Sequence, residues 1–117
     1  MVLDTLRSMV QELKNFGVEM CAIVQRNGRP VIYDGIDGSV VDTYATLSAT
    51  IVGASEVIYT TLGIGMPSGV FVRSEGGIFV GIPLGRKAVF AAVVKNEEAL
   101  EKVYEYVARM KEVLESV

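Results

Sequence analysis

The middle of the chain constrains the fold more than any other segment, because thirty consecutive residues, Thr43 to Val72, carry a single charge, Glu56. The first two-thirds of this segment, residues 42–62, are predicted to form a helix. A surface helix of a small domain normally has one apolar stripe and one charged face. This helix instead combines an apolar stripe with a ridge of small residues on nearly the opposite side.

Both faces of the predicted helix follow helical spacing. The apolar stripe comprises Tyr44, Leu47, Ile51, Ala54, Ile58 and Leu62. The small-residue ridge, which would let another backbone approach closely, comprises Ala45, Ala49, Val52 and Gly53. A helix buried between the layers of a larger domain would explain both faces, and so would a helix packed on its own sheet and on a second subunit. Because 117 residues leave little material for a third layer, we favour the subunit interface.

Composition indicates a globular protein, with 50% hydrophobic and 21% charged residues. The net charge of −3, without a run of Lys or Arg, gives no indication of nucleic-acid binding. Glycines and a proline interrupt the longest uncharged run, residues 57–72, and Asp4 and Arg7 occupy the place of a signal peptide's apolar core. We therefore expect a cytoplasmic protein without direct membrane insertion. The single cysteine, Cys21, is interpreted as a small core residue, with a reactive thiol as the alternative.

Hydrophobic periodicity and turn residues predict eight elements in the order αββαβββα. They are a helix over 2–16, strands over 18–25 and 30–33, a helix over 42–62, strands over 70–74, 78–84 and 88–94, and a helix after Asn96. Asn27-Gly28 is a hairpin signal, and Asn96 is a helix N-cap. The order predicts one α+β domain over residues 1–117, a sandwich around a five-stranded antiparallel sheet. Helices one and three are expected on one face of the sheet and helix two on the other.

Several motifs for binding or catalysis were considered and rejected. The glycines of residues 63–69 follow a helix and precede a strand, the reverse of a dinucleotide-binding turn. Residues 81–87 are too short for a phosphate loop and lead into no helix. The three acids between residues 34 and 42 lack the alternate oxygen ligands and closing Glu of a calcium loop. The chain has no His, so we expect no catalytic residue, metal or cofactor.

Short motifs along the chain are weak singly but specific in their order and spacing. They are Gly17-Val18, RNGRPV at 26–31, ATLSA at 45–49, GASE at 53–56, LGIG at 62–65, RSEGGIFV at 73–80 and IPLG at 82–85. With these motifs, nearly the whole chain resembles the Roadblock / dynein light chain superfamily. The resemblance implies a dimer in which third strands pair edge to edge and second helices pack side by side. It also implies a role without catalysis, as a platform for small Ras-like GTPases, a GTPase regulator or a dynein adaptor.

Carried onto this chain, the resemblance implies a dimer interface formed by the small-residue ridge and the third strand. Its residues are Ala45, Ala49, Val52, Gly53, Glu56, Val70, Phe71, Val72 and Arg73. Glu56 is expected at the rim or paired with a partner cation such as Arg73. On this assignment Ala49→Arg should split the dimer, whereas Leu47→Ala should cost the fold about 2–5 kcal/mol as a buried leucine.

The leading hypothesis is therefore a homodimeric, non-enzymatic scaffold that binds a small Ras-like GTPase and modulates its nucleotide state. A small-molecule sensor of the PAS, GAF or profilin type is an alternative, although the short loops provide few residues that could enclose a ligand pocket. A structural adaptor paired with a different Roadblock chain is another.

Overall fold

The computed structural model describes residues 1–116 and contains the predicted elements in the predicted order. They are α1 (Val2–Leu13), a 3-10 turn (Lys14–Phe16), β1 (Val18–Gln25), β2 (Pro30–Asp34), α2 (Val41–Leu62), β3 (Val70–Ser74), β4 (Gly77–Leu84), β5 (Ala88–Val94) and α3 (Glu97–Glu115). The strands form one antiparallel sheet in the order β2-β1-β5-β4-β3. The predicted α+β sandwich is confirmed.

The boundaries of the helices follow from local chemistry. The first helix ends at Leu13 and tightens into the 3-10 turn, because Gly17 takes a left-handed conformation with φ 89° that stops the helix. Asn96 caps α3 as predicted, since its side chain accepts a hydrogen bond from the Ala99 amide at 2.9 Å.

The larger core lies between the sheet and the pair α1 and α3. Phe90 at the centre of β5, Leu13 of α1 and Met110 of α3 are all fully buried there. Helix α2 covers the opposite face, where Ala22 and Val24 of β1 meet it. Helices one and three thus share one face and helix two takes the other, as the sequence predicts.

The order of the strands leaves β2 and β3 at the two edges of the sheet. The edge position of β3 is the one that the family resemblance implies. None of the helices formed by residues 1–116 is long and apolar enough to cross a membrane.

Candidate protein-interaction surface

The small-residue ridge of α2 packs against the chain's own sheet. Ala45 and Val52 are completely buried and Ala49 is 8% exposed, while Gly53 lies half-buried at the side of the helix. A Cβ atom added to Gly81 of β4 would lie 2.8 Å from Cγ2 of Val52. The expectation that Ala45, Ala49 and Val52 face a second subunit is therefore wrong, whereas for Gly53, where an added Cβ would meet nothing within 4 Å, it stays a prediction.

The sheet presents small residues where the ridge meets it. The row consists of Ala22 on β1, Ala91 on β5 and Gly81 on β4, which are partners in the strand register. Their side-chain positions therefore lie on the same face of the sheet, the one that α2 covers. The same row ends in larger residues, Tyr33 on β2 and Val70 on β3. A row that is small in the middle and large at both ends forms a trough into which a helix with a small face fits closely.

Glu56 is bound within its own chain. The Arg26 guanidinium donates to both of its carboxylate oxygens, from Nη1 to Oε1 and from Nη2 to Oε2 at 3.1 Å, and Nη2 also donates to the Gly85 carbonyl at 2.8 Å. This pair ties α2 to the β1–β2 and β4–β5 turns. Within one chain Glu56 pairs with Arg26, a partner that the sequence analysis did not name, and Arg73 bonds the exposed Glu97; a rim position of Glu56 or its pairing with a partner cation stays a prediction.

Three large members of the apolar stripe of α2 lie in solvent. Leu47 is 61% exposed, Ile58 56% and Leu62 65%. Leu47 is thus not the core residue that the sequence analysis assumed, and its truncation cannot cost what a buried leucine costs. Likewise an arginine at Ala49 would be forced against the chain's own sheet, so Ala49→Arg would destabilise the fold itself.

An apolar groove connects the stripe to the edge strand. It has a volume of about 290 Å³ and is lined by Tyr44, Leu47, Ser48, Ile51, Val72 and Phe79. The Tyr44 ring packs edge-on against Phe79, with centroids 6.3 Å apart. Burial is the main cause that raises the pKa of Tyr44 above its ordinary value. We call the exposed stripe of α2 together with the outer edge of β3 the α2–β3 surface.

Strand β3 contributes side chains to both faces of the sheet. Val72 is 49% exposed and extends the α2–β3 surface, while Val70 is half-buried. Phe71 lies on the α3 side, where its ring meets Tyr104 with centroids 6.2 Å apart. Contacts of residues 70–73 with a second subunit stay a prediction, now supported by the position of their strand at the edge.

The core interpretation of Cys21 is confirmed. Its thiol is buried, lies 3.6 Å from the Val10 carbonyl as a hydrogen-bond donor, and has its pKa raised to about 12 by burial and by the charge of Asp34. A thiol held neutral in this way is a poor nucleophile. Residues 1–116 contain no group of three or more His, Cys, Asp or Glu that could hold a metal ion.

The pattern of a five-stranded sheet, an edge β3 and a two-faced α2 has a counterpart among known families. The family model of the Roadblock/LC7 domain matches residues 6–95. The chain belongs to the Roadblock/LC7 domain family. No curated protein matches it at a significant level.

Solved structures of Roadblock/LC7 relatives share its fold. MglB of Myxococcus xanthus superimposes with a TM-score of 0.86 at 14% identity, covering 97% of both chains. A Roadblock/LC7 domain from Streptomyces avermitilis gives 0.82 at 15% identity over 94% of both. The gliding protein MglB of Thermus thermophilus gives 0.78 at 19% identity, over 97% of this chain and 87% of that one. These identities establish the fold alone.

The pattern that assigns the faces of α2 can be read only once the pairing of the strands is known. Strands β1, β4 and β5 place Ala22, Gly81 and Ala91 on one face of the sheet, and small residues there require a small-faced helix above them. The Arg26–Glu56 pair had no comparable signal, because thirty residues separate its members.

Proposed function

We propose that this protein is a homodimeric scaffold, without catalytic activity of its own, that binds a small Ras-like GTPase and modulates its nucleotide state. Membership of the Roadblock/LC7 family supports a scaffold related to small GTPases. The observation that carries the proposal is the α2–β3 surface, which leaves large apolar side chains of one helix in solvent beside an open strand edge. A cytoplasmic location belongs to the same proposal.

The α2–β3 surface suits a second copy of the chain. A contiguous exposed apolar patch marks a protein interaction site, and an apolar edge strand invites pairing with another strand. Antiparallel pairing of β3 with its symmetry mate would extend the sheet and bring the two α2 stripes side by side. One two-fold axis then covers Leu47, Ile58 and Val72 of both copies, because each surface is its own complement.

The scaffold acts on its GTPase through binding free energy. It shifts the nucleotide equilibrium only to the extent that it binds the GTP and GDP states with different affinities. It can also accelerate hydrolysis by positioning the GTPase's own catalytic groups. Neither effect requires a catalytic residue on the scaffold.

The test is affinity capture by the immobilised protein from native lysate that has been loaded in parallel with a GTP analogue or with GDP. Retained proteins are identified by mass spectrometry, and hydrolysis and exchange rates of any captured GTPase are measured with and without the scaffold. We expect one small GTPase to be retained preferentially in one nucleotide state, which sets the sign of regulation.

Other outcomes would support only part of the proposal. Equal retention in both states would leave a platform that does not modulate its GTPase. Absence of any small GTPase would remove the GTPase from the proposal. A different Roadblock chain retained in its place would identify a structural adaptor.

A further inference from the structure

A second cleft lies on the face of the sheet that α1 and α3 cover, away from the α2–β3 surface. It has a volume of about 750 Å³ and lies between the start of α1, the β4–β5 turn and the last turns of α3. Its floor is apolar, formed by the buried Leu84 and Ala88 and the half-buried Val2 and Leu114. Its rim is charged.

Three exposed cations line the rim of this cleft, Arg86 and Lys87 in the β4–β5 turn and Lys111 on α3. None of the three forms an ion pair with any residue among 1–116, and Glu115 is the one acid among the described residues that line the cleft. The charge of the cleft is thus positive on a chain whose net charge is −3. Local positive charge above an apolar floor selects for a ligand that is both anionic and apolar.

Four of the six acids of α3 lie towards its other end. Glu97, Glu98, Glu101 and Glu105 line a separate cleft beside Phe16, at the start of the helix. The helix is therefore acidic where it begins and meets a basic cleft near its end.

We propose that the basic cleft binds an acidic amphipathic segment of a partner protein. Apolar side chains of the segment pack on Leu84 and Leu114, and its carboxylates meet Arg86, Lys87 and Lys111. A concave apolar floor fits the side chains of a peptide helix better than a flat bilayer surface or a small inorganic anion. The cleft is independent of the proposed dimer, since α2 and the dimer surface lie on the opposite face of the sheet, and it does not depend on the GTPase.

The probe is a fluorescein-labelled helical peptide that carries Leu at positions i, i+3, i+4 and i+7 and Glu elsewhere, with the same peptide carrying Lys for Glu as its control. Binding is followed by fluorescence anisotropy. The test variant is the double substitution Arg86→Glu and Lys87→Glu. Its matched control, Lys14→Glu with Lys95→Glu, makes the same change of charge at two exposed lysines elsewhere.

We expect the acidic peptide to bind the unmodified protein and the basic peptide not to bind. The Arg86/Lys87 variant should bind at least about tenfold more weakly, because it replaces two attractive charges by repulsive ones. The Lys14/Lys95 variant should stay within about threefold of the unmodified protein, since its charges act from a distance at which salt screens them. Backbone amide NMR shifts on titration should map to residues 84–88 and 111–115. Circular dichroism and the melting temperature verify that both variants are folded.

Several results would overturn the proposal. These are an equal loss of affinity in the two double variants, peptide-induced shifts on the α2–β3 surface, and no binding by the unmodified protein. Binding to phosphatidylserine vesicles that the Arg86/Lys87 variant loses, without peptide binding, would assign the cleft to a membrane surface instead. A fall in molar mass of the Arg86/Lys87 variant alone would assign it to a second copy of this chain.

Discussion

Gly81 is the residue on which the position of α2 depends most. Its missing side chain lets Val52 lie closer to β4 than any Cβ would permit. Val52 is stiff about χ1 and completely buried, so its side chain has little freedom to move away from an added Cβ. The depth at which the helix sits in the sheet's trough is therefore set by one glycine.

Gly81→Ala should lower the free energy of unfolding by about 1–3 kcal/mol, the usual cost of an overpacked core. Urea denaturation measures it. The matched control is Gly53→Ala, where an added Cβ meets nothing within 4 Å and the helix gains about 0.5–1 kcal/mol from the better helix former. Adding Val52→Ala to Gly81→Ala should cost less than the sum of the single changes. Strict additivity of the two changes would contradict the contact.

The Arg26–Glu56 pair should contribute more to stability than the other inter-element ion pair. Its side chains are 27% and 17% exposed, against 57% and 66% for Arg73 and Glu97. We expect a double-mutant cycle to alanine to give a coupling of about 1–3 kcal/mol for the first pair. The second pair should give less than about 1 kcal/mol, because water screens it. Equal coupling energies would show that the Arg26–Glu56 pair holds α2 to the two turns no more strongly than an exposed ion pair would.

Helix α2 combines two functions that most helices separate. Its small face fixes it to the sheet and its large apolar face remains in solvent. Packing alone gives no reason to keep Leu47, Ile58 and Leu62 on an exposed face, because exposed apolar stripes are an aggregation hazard. In the proposed dimer, a second copy would cover this face and remove the hazard.

Ile58→Asp should convert the proposed dimer into a monomer, because a charge would be buried in the apolar contact between the two helices. Light scattering coupled to size exclusion should show the mass falling from twice 12.6 kDa to 12.6 kDa. The control is Val57→Asp, which adds the same charge one residue away. Val57 is exposed to a similar extent, at 65% against 56% for Ile58, but lies about 100° round the helix.

The Val57→Asp control should remain dimeric. Loss of the dimer in both variants would indicate a general effect of charge on the helix. A monomeric unmodified protein would contradict the dimer part of the proposed function and leave the basic cleft untouched.

At the level of the molecule, the antiparallel sheet has a titratable group packed in or against the core on each side, the buried Cys21 under α1 and α3 and the half-buried Tyr44 on α2. Burial, together with the charge of Asp34, raises the pKa of Cys21 from its ordinary 9.0 to about 12. The unfolded chain therefore loses this proton from about pH 9, while the folded chain keeps it to about pH 12. Between these values the folded state binds more protons, so stability falls as pH rises.

The expected slope from Cys21 is about 1.4 kcal/mol per pH unit across that window. We predict that the stability difference between the unmodified protein and Cys21→Ala is constant up to about pH 9 and shrinks above it. Urea midpoints at about pH 8, 9.5 and 10.5 measure this. The pKa of Tyr44 is also raised, first by burial and then by the charge of Cys21, and this steepens both curves. Its contribution cancels in the difference because the folded Cys21 thiol is uncharged below about pH 12. Parallel curves for the two proteins would contradict the assignment.

The sequence predicted most of the architecture because the signals for it are local. Periodicity, the Asn27-Gly28 turn and the Asn96 cap determined the order of the elements and most of their boundaries. The sequence analysis predicted a helix up to residue 16, whereas the structure has a 3-10 turn after Leu13. This turn was not predicted because the tightening of a helix end depends on how Gly17 meets β1. The order and spacing of short motifs also identified the family.

Only the tertiary structure decided which face of α2 meets the sheet. Both faces repeat every 3.6 residues and both are apolar or small. Hydrophobic periodicity therefore cannot show which of the two packs on the sheet. What distinguishes them is the sheet surface on which the small face fits, the row formed by Ala22, Ala91 and Gly81. That row exists only after three strands have paired, and Arg26 reaches Glu56 only after the same sheet has formed. Local patterns determined the elements, and shape complementarity between distant residues determined which surface remains free to bind.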